Sequence, residues 1–198
     1  MSLVKICGIT EEQEVEYVNE AGVNFMGMVM FFPKSKRNIT VEKASSLIKK
    51  LNPAVTSVEP TLDQIREIEA AGIQMIQIHG DISEELLQEI HIPVIKAFNV
   101  HDLSSYEKYH QADIVKGYIF DAQTPGSGKA FDWSVLSDIP HDEKFALLAG
   151  GLNPDNVAEA FAATHVDGAD TSSGVENDTG IGKDREKILR FVENVKNQ

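Results

Sequence analysis

FALLAGGLNPDNVAEAFAATHVDGADTSSG, residues 145–174, reads as strand, glycine turn, helix, strand, glycine turn. Phe145 to Leu148 is apolar and has the length of a buried strand. Ala149-Gly150-Gly151 removes side chains where that strand ends. Asn153-Pro154 then supplies an N-cap residue followed by proline at the first helical position. Val157, Ala160 and Phe161 recur at helical spacing and would face a sheet. A second short strand, Val166 to Thr171, ends in Ser172-Ser173-Gly174. Two neighbouring strands thus end in turns that expose backbone amides and lead toward helices, an arrangement suited to a phosphate dianion. A single turn of this kind is ordinarily structural, its glycines only tightening a strand-to-helix connection. Two adjacent ones at the end of a repeating β/α chain point to phosphate, because the loops after strands 7 and 8 are the usual phosphate site of a (β/α)8 barrel.

The same alternation runs outward through the chain. Candidate strands are Val4–Gly8, Phe25–Met30, Ala54–Val58, Met75–His79, Val94–Val100, Ile114–Asp121, Phe145–Ala149 and Gly168–Ser172, with amphipathic helical stretches between them. Thr10…Gln13 and Thr61…Gln64 match the capping box, and Thr40, Ser83, Asp132 and Asp184 suit N-caps. Eight strand–helix units imply a parallel sheet, and with phosphate turns at the end they favour a closed barrel over a doubly wound open sheet. No linker or charge block divides the chain, so residues 1–198 are expected to form a single (β/α)8-barrel domain of the α/β class.

Composition narrows the function. Acidic residues exceed basic ones by 31 − 18 = 13, which argues against nucleic acid, a ligand that needs a basic footprint. The same balance repels a distant anion, so any anion site must act through local cations and amides. No apolar run reaches the length of a membrane span, and the start lacks a signal peptide's apolar region; no membrane partner and a cytoplasmic location are expected. One cysteine excludes an internal disulfide, and six scattered histidines without ligand spacing predict no metal.

Alternation along Val4-Lys5-Ile6-Cys7-Gly8 places Val4 and Ile6 toward the helices and Lys5 and Cys7 toward the lumen, with Cys7 at the C-terminal mouth where barrel active sites lie. A lone cysteine is commonly a small buried hydrophobe, but this position favours function. A buried Lys5 needs a partner, and Asp170 on the last strand is the nearest candidate if the barrel closes. Lys34, Lys36 and Arg37 put three cations within four residues on the loop after strand 2, an anion clamp in which Arg37 best suits a carboxylate. Gln77 and His79 share the lumen face of strand 4, and His79 alone reads as a hydrogen-bonded wall residue. Lys96 and Asn99 on strand 5 have no evident role. Asp121 ends strand 6 at the mouth and reads as a catalytic carboxyl. Gly126-Ser127-Gly128-Lys129 lacks the full phosphate-loop pattern and carries no nucleotide reading.

KICGIT (5–10), FFPKSKR (31–37), IQIHG (76–80), FDAQTPGSGKAFDW (120–133), AGGLNPDNV (149–157) and DTSSGVE (170–176), in this order and spacing, resemble the phosphoribosylanthranilate isomerase family over nearly the whole length. The resemblance implies a cofactor-free Amadori rearrangement in tryptophan biosynthesis, which turns N-(5-phosphoribosyl)anthranilate into 1-(2-carboxyphenylamino)-1-deoxyribulose 5-phosphate. The family's catalytic cysteine and aspartate fall on Cys7 and Asp121, and its carboxylate-binding arginine on Arg37. Its phosphate contacts fall on Gly150, Gly151, Ser172, Ser173 and Gly174. A small phosphorylated substrate and a monomer or homodimer follow. Two departures stand out: strand 3, AVTSVEP, is several residues shorter than is usual, and the loop after strand 6 carries Ser127 and Ala130 where threonines are common. The short strand is the one support for a catalytically silent phosphate-binding barrel. A third reading, the related histidine-pathway isomerase, conflicts with Cys7 and with the absence of an obvious half-chain repeat.

Overall fold

The computed structural model describes residues 2–48, 54–121, 142–180 and 182–198, with 54–58 described by backbone alone. Its elements alternate: β1 Leu3–Ile6, α1 Glu12–Glu20, β2 Phe25–Val29, α2 Val41–Ile48, β3 Ala54–Val58, α3 Leu62–Ala70, β4 Met75–Ile78 and α4 Glu84–Gln88. They continue with β5 Val94–Asn99, α5 Tyr106–His110, β6 Val115–Asp121, β7 Phe145–Ala149, α6 Val157–Ala162, β8 Gly168–Thr171 and α7 Arg185–Lys196. The eight strands form a closed barrel in sequence order. Closure runs through β1 and β8, paired in parallel from Leu3↔Gly168 to Ile6↔Thr171. The short third strand still completes the wall, with Met26↔Ala54 through Val29↔Ser57 on one side and Val55↔Met75 through Val58↔Ile78 on the other.

Period-two alternation sorts the strand residues between two cores. Val4, Ile6, Met26, Met28, Ile76, Ile78, Phe120 and Leu148 are buried between sheet and helices. Helix α7 meets them with Ile188, Phe191, Val192 and Val195, one stripe at helical spacing. Burying each such side chain stabilises the fold by about 1.5–3 kcal/mol. Ile95, Ala97, Ile119, Leu147 and Ala149 fill the lumen. Phe25 and Phe145 stack at 5.3 Å beneath them. Lys96 points outward from β5, not into the lumen: its Nζ donates to the His79 carbonyl at 2.9 Å and lies 4.6 Å from the Phe98 ring centroid. Burial holds its amine below the ordinary lysine range, at about 8.

Caps at Thr40, Thr61, Ser83 and Asp184 form as the sequence predicts: each side chain accepts an amide three residues on. Two starts differ. Helix α1 is closed by Glu14, not Gln13: its carboxylate accepts the amides of Thr10 at 2.6 Å and Glu11 at 3.0 Å, since a carboxylate takes several donors at once. Helix α6 begins at Val157 because Asn153 Oδ1 first accepts the amides of Asp155 and Asn156, a local turn that delays the helix. Asp132, Trp133 and the Gly126–Lys129 segment lie outside the described residues.

Candidate active site

Barrel strands aim their C-terminal residues at one mouth. There a cavity of about 370 Å³ is lined by Cys7, Arg37, Gln77, His79, Asp121, Gly150, Gly151, Ser172 and Ser173, with Phe32, Glu59 and Asp170 among the other walls. Of the residues expected at the site, Gly174 and the clamp lysines Lys34 and Lys36 are not part of this lining. The Gly174 Cα packs behind the wall, where a Cβ would stand 1.9 Å from the Leu152 carbonyl oxygen.

Cys7 follows β1, half-buried, with its amide donating to Thr171 O at 2.8 Å. Gly27 on β2 gives the thiol its room: a Cβ there would lie 2.9 Å from Cys7 Sγ and 3.0 Å from Lys5 Nζ. Lys5 is fully buried and donates to Asp170 Oδ1 at 3.0 Å. Burial raises Asp170 and opposes charge on Lys5, where Asp170 and Cys7 outweigh it and hold the amine above the ordinary lysine range. The 3.0 Å contact favours the ion pair over its neutral form. Asp121 ends β6, so β7 and β8 separate it from Cys7 on one side of the mouth and β2 to β5 on the other.

His79 is open to the cavity yet ringed by protein. Burial and the charges of Lys5 and Lys96 push its imidazole down to about 4, which leaves it neutral near pH 7. Gln77 Nε2 lies 2.9 Å from His79 Nε2, and the Gln77 Oε1 is buried with no hydrogen-bond partner among the described residues.

The loop after β2 crosses the mouth toward β8. Phe31 takes a left-handed φ of 58°, and Asn38 Oδ1 accepts the Phe32 amide at 2.8 Å, which folds the loop back. Gly8, at φ 78°, lets Arg37 lie over the end of β1: a Cβ there would meet Arg37 Cδ at 2.3 Å. Arg37 Nε and Nη2 both reach Glu176 Oε1 at 2.6 Å, and Lys36 Nζ donates to Glu176 Oε2 at 2.9 Å. Lys34 stays exposed. Glu176 is buried; burial works against its charge, but hydrogen bonds from Arg37 and Lys36 and the nearby Lys183 hold its carboxyl below the ordinary range. Lys183, also buried, donates to Ser172 O at 3.0 Å, and Ser172 Oγ donates to Cys7 O at 2.9 Å.

The two small turns differ. After β7, Gly150 and Gly151 take φ of 104° and 67°, which ordinary side chains avoid. After β8 the chain makes a 3₁₀ turn, Ser173–Val175, in place of an α-helix start. Sequence reasoning missed Glu176 and Lys183. The final residue of DTSSGVE was the available signal, but a carboxylate after a turn normally reads as solvated.

Among the described residues no group of three or more His, Cys, Asp or Glu could hold a metal ion, and no helix is long and apolar enough to cross a membrane. A closed eight-stranded barrel whose mouth carries a thiol, carboxylates, a tethered guanidinium and two glycine-bearing turns is the framework of a (β/α)8-barrel enzyme. The family model for N-(5'-phosphoribosyl)anthranilate (PRA) isomerase matches residues 4–194. The chain belongs to that family. An N-(5'-phosphoribosyl)anthranilate isomerase of Streptococcus gordonii is 39% identical over 201 residues, covering 99% of this chain and 98% of the relative. The crystal structure of phosphoribosyl anthranilate isomerase from Thermotoga maritima superposes with a TM-score of 0.84 at 35% identity, over 100% of both chains. A phosphoribosyl anthranilate isomerase in complex with reduced 1-(o-carboxyphenylamino)-1-deoxyribulose 5-phosphate gives 0.83 at 32% identity, again over 100% of both chains.

Proposed function

We propose that this chain isomerises N-(5'-phosphoribosyl)anthranilate to 1-(2-carboxyphenylamino)-1-deoxyribulose 5-phosphate by general acid–base catalysis, as one barrel domain working without a cofactor in the cytoplasm. The observation that carries the reading is the single mouth cavity lined by Cys7, Asp121, Arg37 and the turns after β7 and β8. Asp121, protonated, gives its proton to the furanose oxygen; the C1–O bond breaks and a Schiff base forms. Cys7, as thiolate, takes the proton from C2, and the electron pair of that bond moves into C1–C2 to neutralise the iminium. The resulting enolamine tautomerises to the ketone. Proton transfers of this kind typically contribute about 10²–10⁴-fold each.

In this reading Arg37 takes the anthranilate carboxylate. Backbone amides of Gly150, Gly151, Ser172, Ser173 and Gly174 take the phosphate, which suits a protein of net charge −13 because fixed amide dipoles act only at short range. His79, neutral, forms part of the wall without competing for the proton.

A coupled assay tests the reading. The labile aminoribosyl phosphate is generated in place from anthranilate and a phosphoribosyl donor, and its fluorescence is followed. Added protein should speed the fluorescence loss and yield the ketose phosphate. Fluorescence decay no faster than the uncatalysed breakdown, with phosphate still bound, would leave a phosphate-binding barrel without this activity.

A further inference from the structure

Glu176 has no part in the chemistry above, yet its carboxylate is bonded to both Arg37 and Lys36. Its Oε1 takes both Nε and Nη2 of Arg37 at 2.6 Å, and its Oε2 takes Lys36 Nζ at 2.9 Å. Lys183 Nζ, which also binds the Ser172 carbonyl, lies 3.7 Å from Oε1. The Glu176 amide donates to Ser173 O at 3.1 Å, and its own carbonyl accepts Lys187 Nζ at 3.0 Å. A carboxylate on the loop after β8 therefore ties down two cations of the loop after β2, Lys36 and Arg37.

We propose that Glu176 is a positioning residue that holds the Arg37 guanidinium by its Nε edge, so that its far edge is aimed at the carboxylate of the substrate. The donor count supports this. Guanidinium has five N–H groups in a rigid fork, and a carboxylate on the Nε–Nη2 side leaves the Nη1–Nη2 end able to form a second bidentate pair. Among the described residues no bond to Arg37 Nη1 is formed. An arginine whose stem is already fixed loses less side-chain freedom on binding. Glu176 also joins the two anion subsites, since the chain that carries Ser172 and Ser173 is the chain that fixes Arg37. This inference rests on the reading that Arg37 meets the substrate carboxylate.

The test compares two ligands: reduced 1-(o-carboxyphenylamino)-1-deoxyribulose 5-phosphate and the same compound with phenyl in place of carboxyphenyl. Their affinity ratio measures what the carboxylate adds. Glu176→Gln should shrink that ratio by about tenfold, the scale of a charge-assisted hydrogen bond, while the phenyl compound shifts less than about threefold. In turnover the loss should fall on KM, with kcat changing little. Glu176→Asp keeps the charge but withdraws the carboxylate by one methylene, and it too should shrink the ratio; this variant serves if Glu176→Gln does not fold. A ratio unchanged or enlarged in either variant overturns the proposal, because Glu176 would then merely offset the Arg37 charge. Arg37→Met separates the two ideas. If it leaves the ratio intact, the carboxylate reading of Arg37 fails; if it abolishes the ratio while the Glu176 variants keep it, only the positioning role fails.

Discussion

Lys5 Nζ and Asp170 Oδ1 stand 3.0 Å apart on residues paired across β1 and β8, so the seam that closes the barrel carries a buried ion pair directly beneath Cys7. Removing one partner leaves the other as an uncompensated buried charge, which costs about 3–5 kcal/mol. Lys5→Met should therefore lower stability by that amount in urea unfolding. The double variant Lys5→Met/Asp170→Leu should recover much of the loss. Equal destabilisation by single and double variants would show that packing at this seam, not charge, is what matters.

Gly27 makes the second close approach. A methyl group 2.9 Å from both Cys7 Cα and Sγ cannot be absorbed by a flexible side-chain end, because one neighbour is backbone. Gly27→Ala should cost about 1–3 kcal/mol through overpacking and displace the thiol. Activity should fall mainly in kcat. A folded variant with unchanged kcat would show that the position of the thiol is not critical.

The two turns proposed to take the phosphate make opposite predictions for their glycines. Gly151 has open space on its Cβ side and a φ of 67° that aspartate tolerates better than most residues. Gly151→Asp should fold, place a carboxylate by the phosphate and raise KM. Gly174 has no space, and Gly174→Ala should show up in thermal unfolding. If Gly151→Asp folds with its KM unchanged, the phosphate lies elsewhere.

Much of this was legible in the sequence. The eight strands fall within two residues of their expected ends because most are short apolar runs bounded by a turn or cap. Lys5 was correctly paired with Asp170, since strand alternation and barrel closure leave it little choice of neighbour. The Arg37–Glu176 tether was not legible. Those residues lie on different loops, far apart in sequence, and neither loop has a periodicity that reports its partner. Lys96 showed no role in the sequence for a related reason: nothing along β5 reports the Phe98 and Tyr109 rings that receive its amine.

Acid should act on the fold at Asp142 and His79, among other groups. Asp142 accepts the hydroxyls of Tyr106 at 2.6 Å and Tyr118 at 2.8 Å. Burial opposes its charge, but these donors and the Lys144 amide outweigh it and hold the carboxyl at about 2. A folded value below the unfolded one contributes stability above about pH 4 that is lost as pH falls toward 2, here about 2 kcal/mol. His79 is also held low, so the unfolded chain takes up a proton first, and stability falls as pH drops from 6.5 toward 4. Denaturant midpoints against pH should therefore decline in both windows. His79→Gln should flatten the upper one and Asp142→Asn the lower; an Asp142→Asn curve still parallel to wild type below pH 4 would remove Asp142 from the account.

The most direct test of the central claim is single-turnover chemistry in Cys7→Ser and Asp121→Asn on substrate generated in place. Each replacement keeps size and polarity while removing the group proposed to carry one proton. Both variants should still bind the reduced product analogue within a few-fold of wild type, with the chemical step slowed at least about 10²-fold. A Cys7→Ser or Asp121→Asn protein that turns over at the wild-type rate would contradict the assignment and require another base or acid at the mouth.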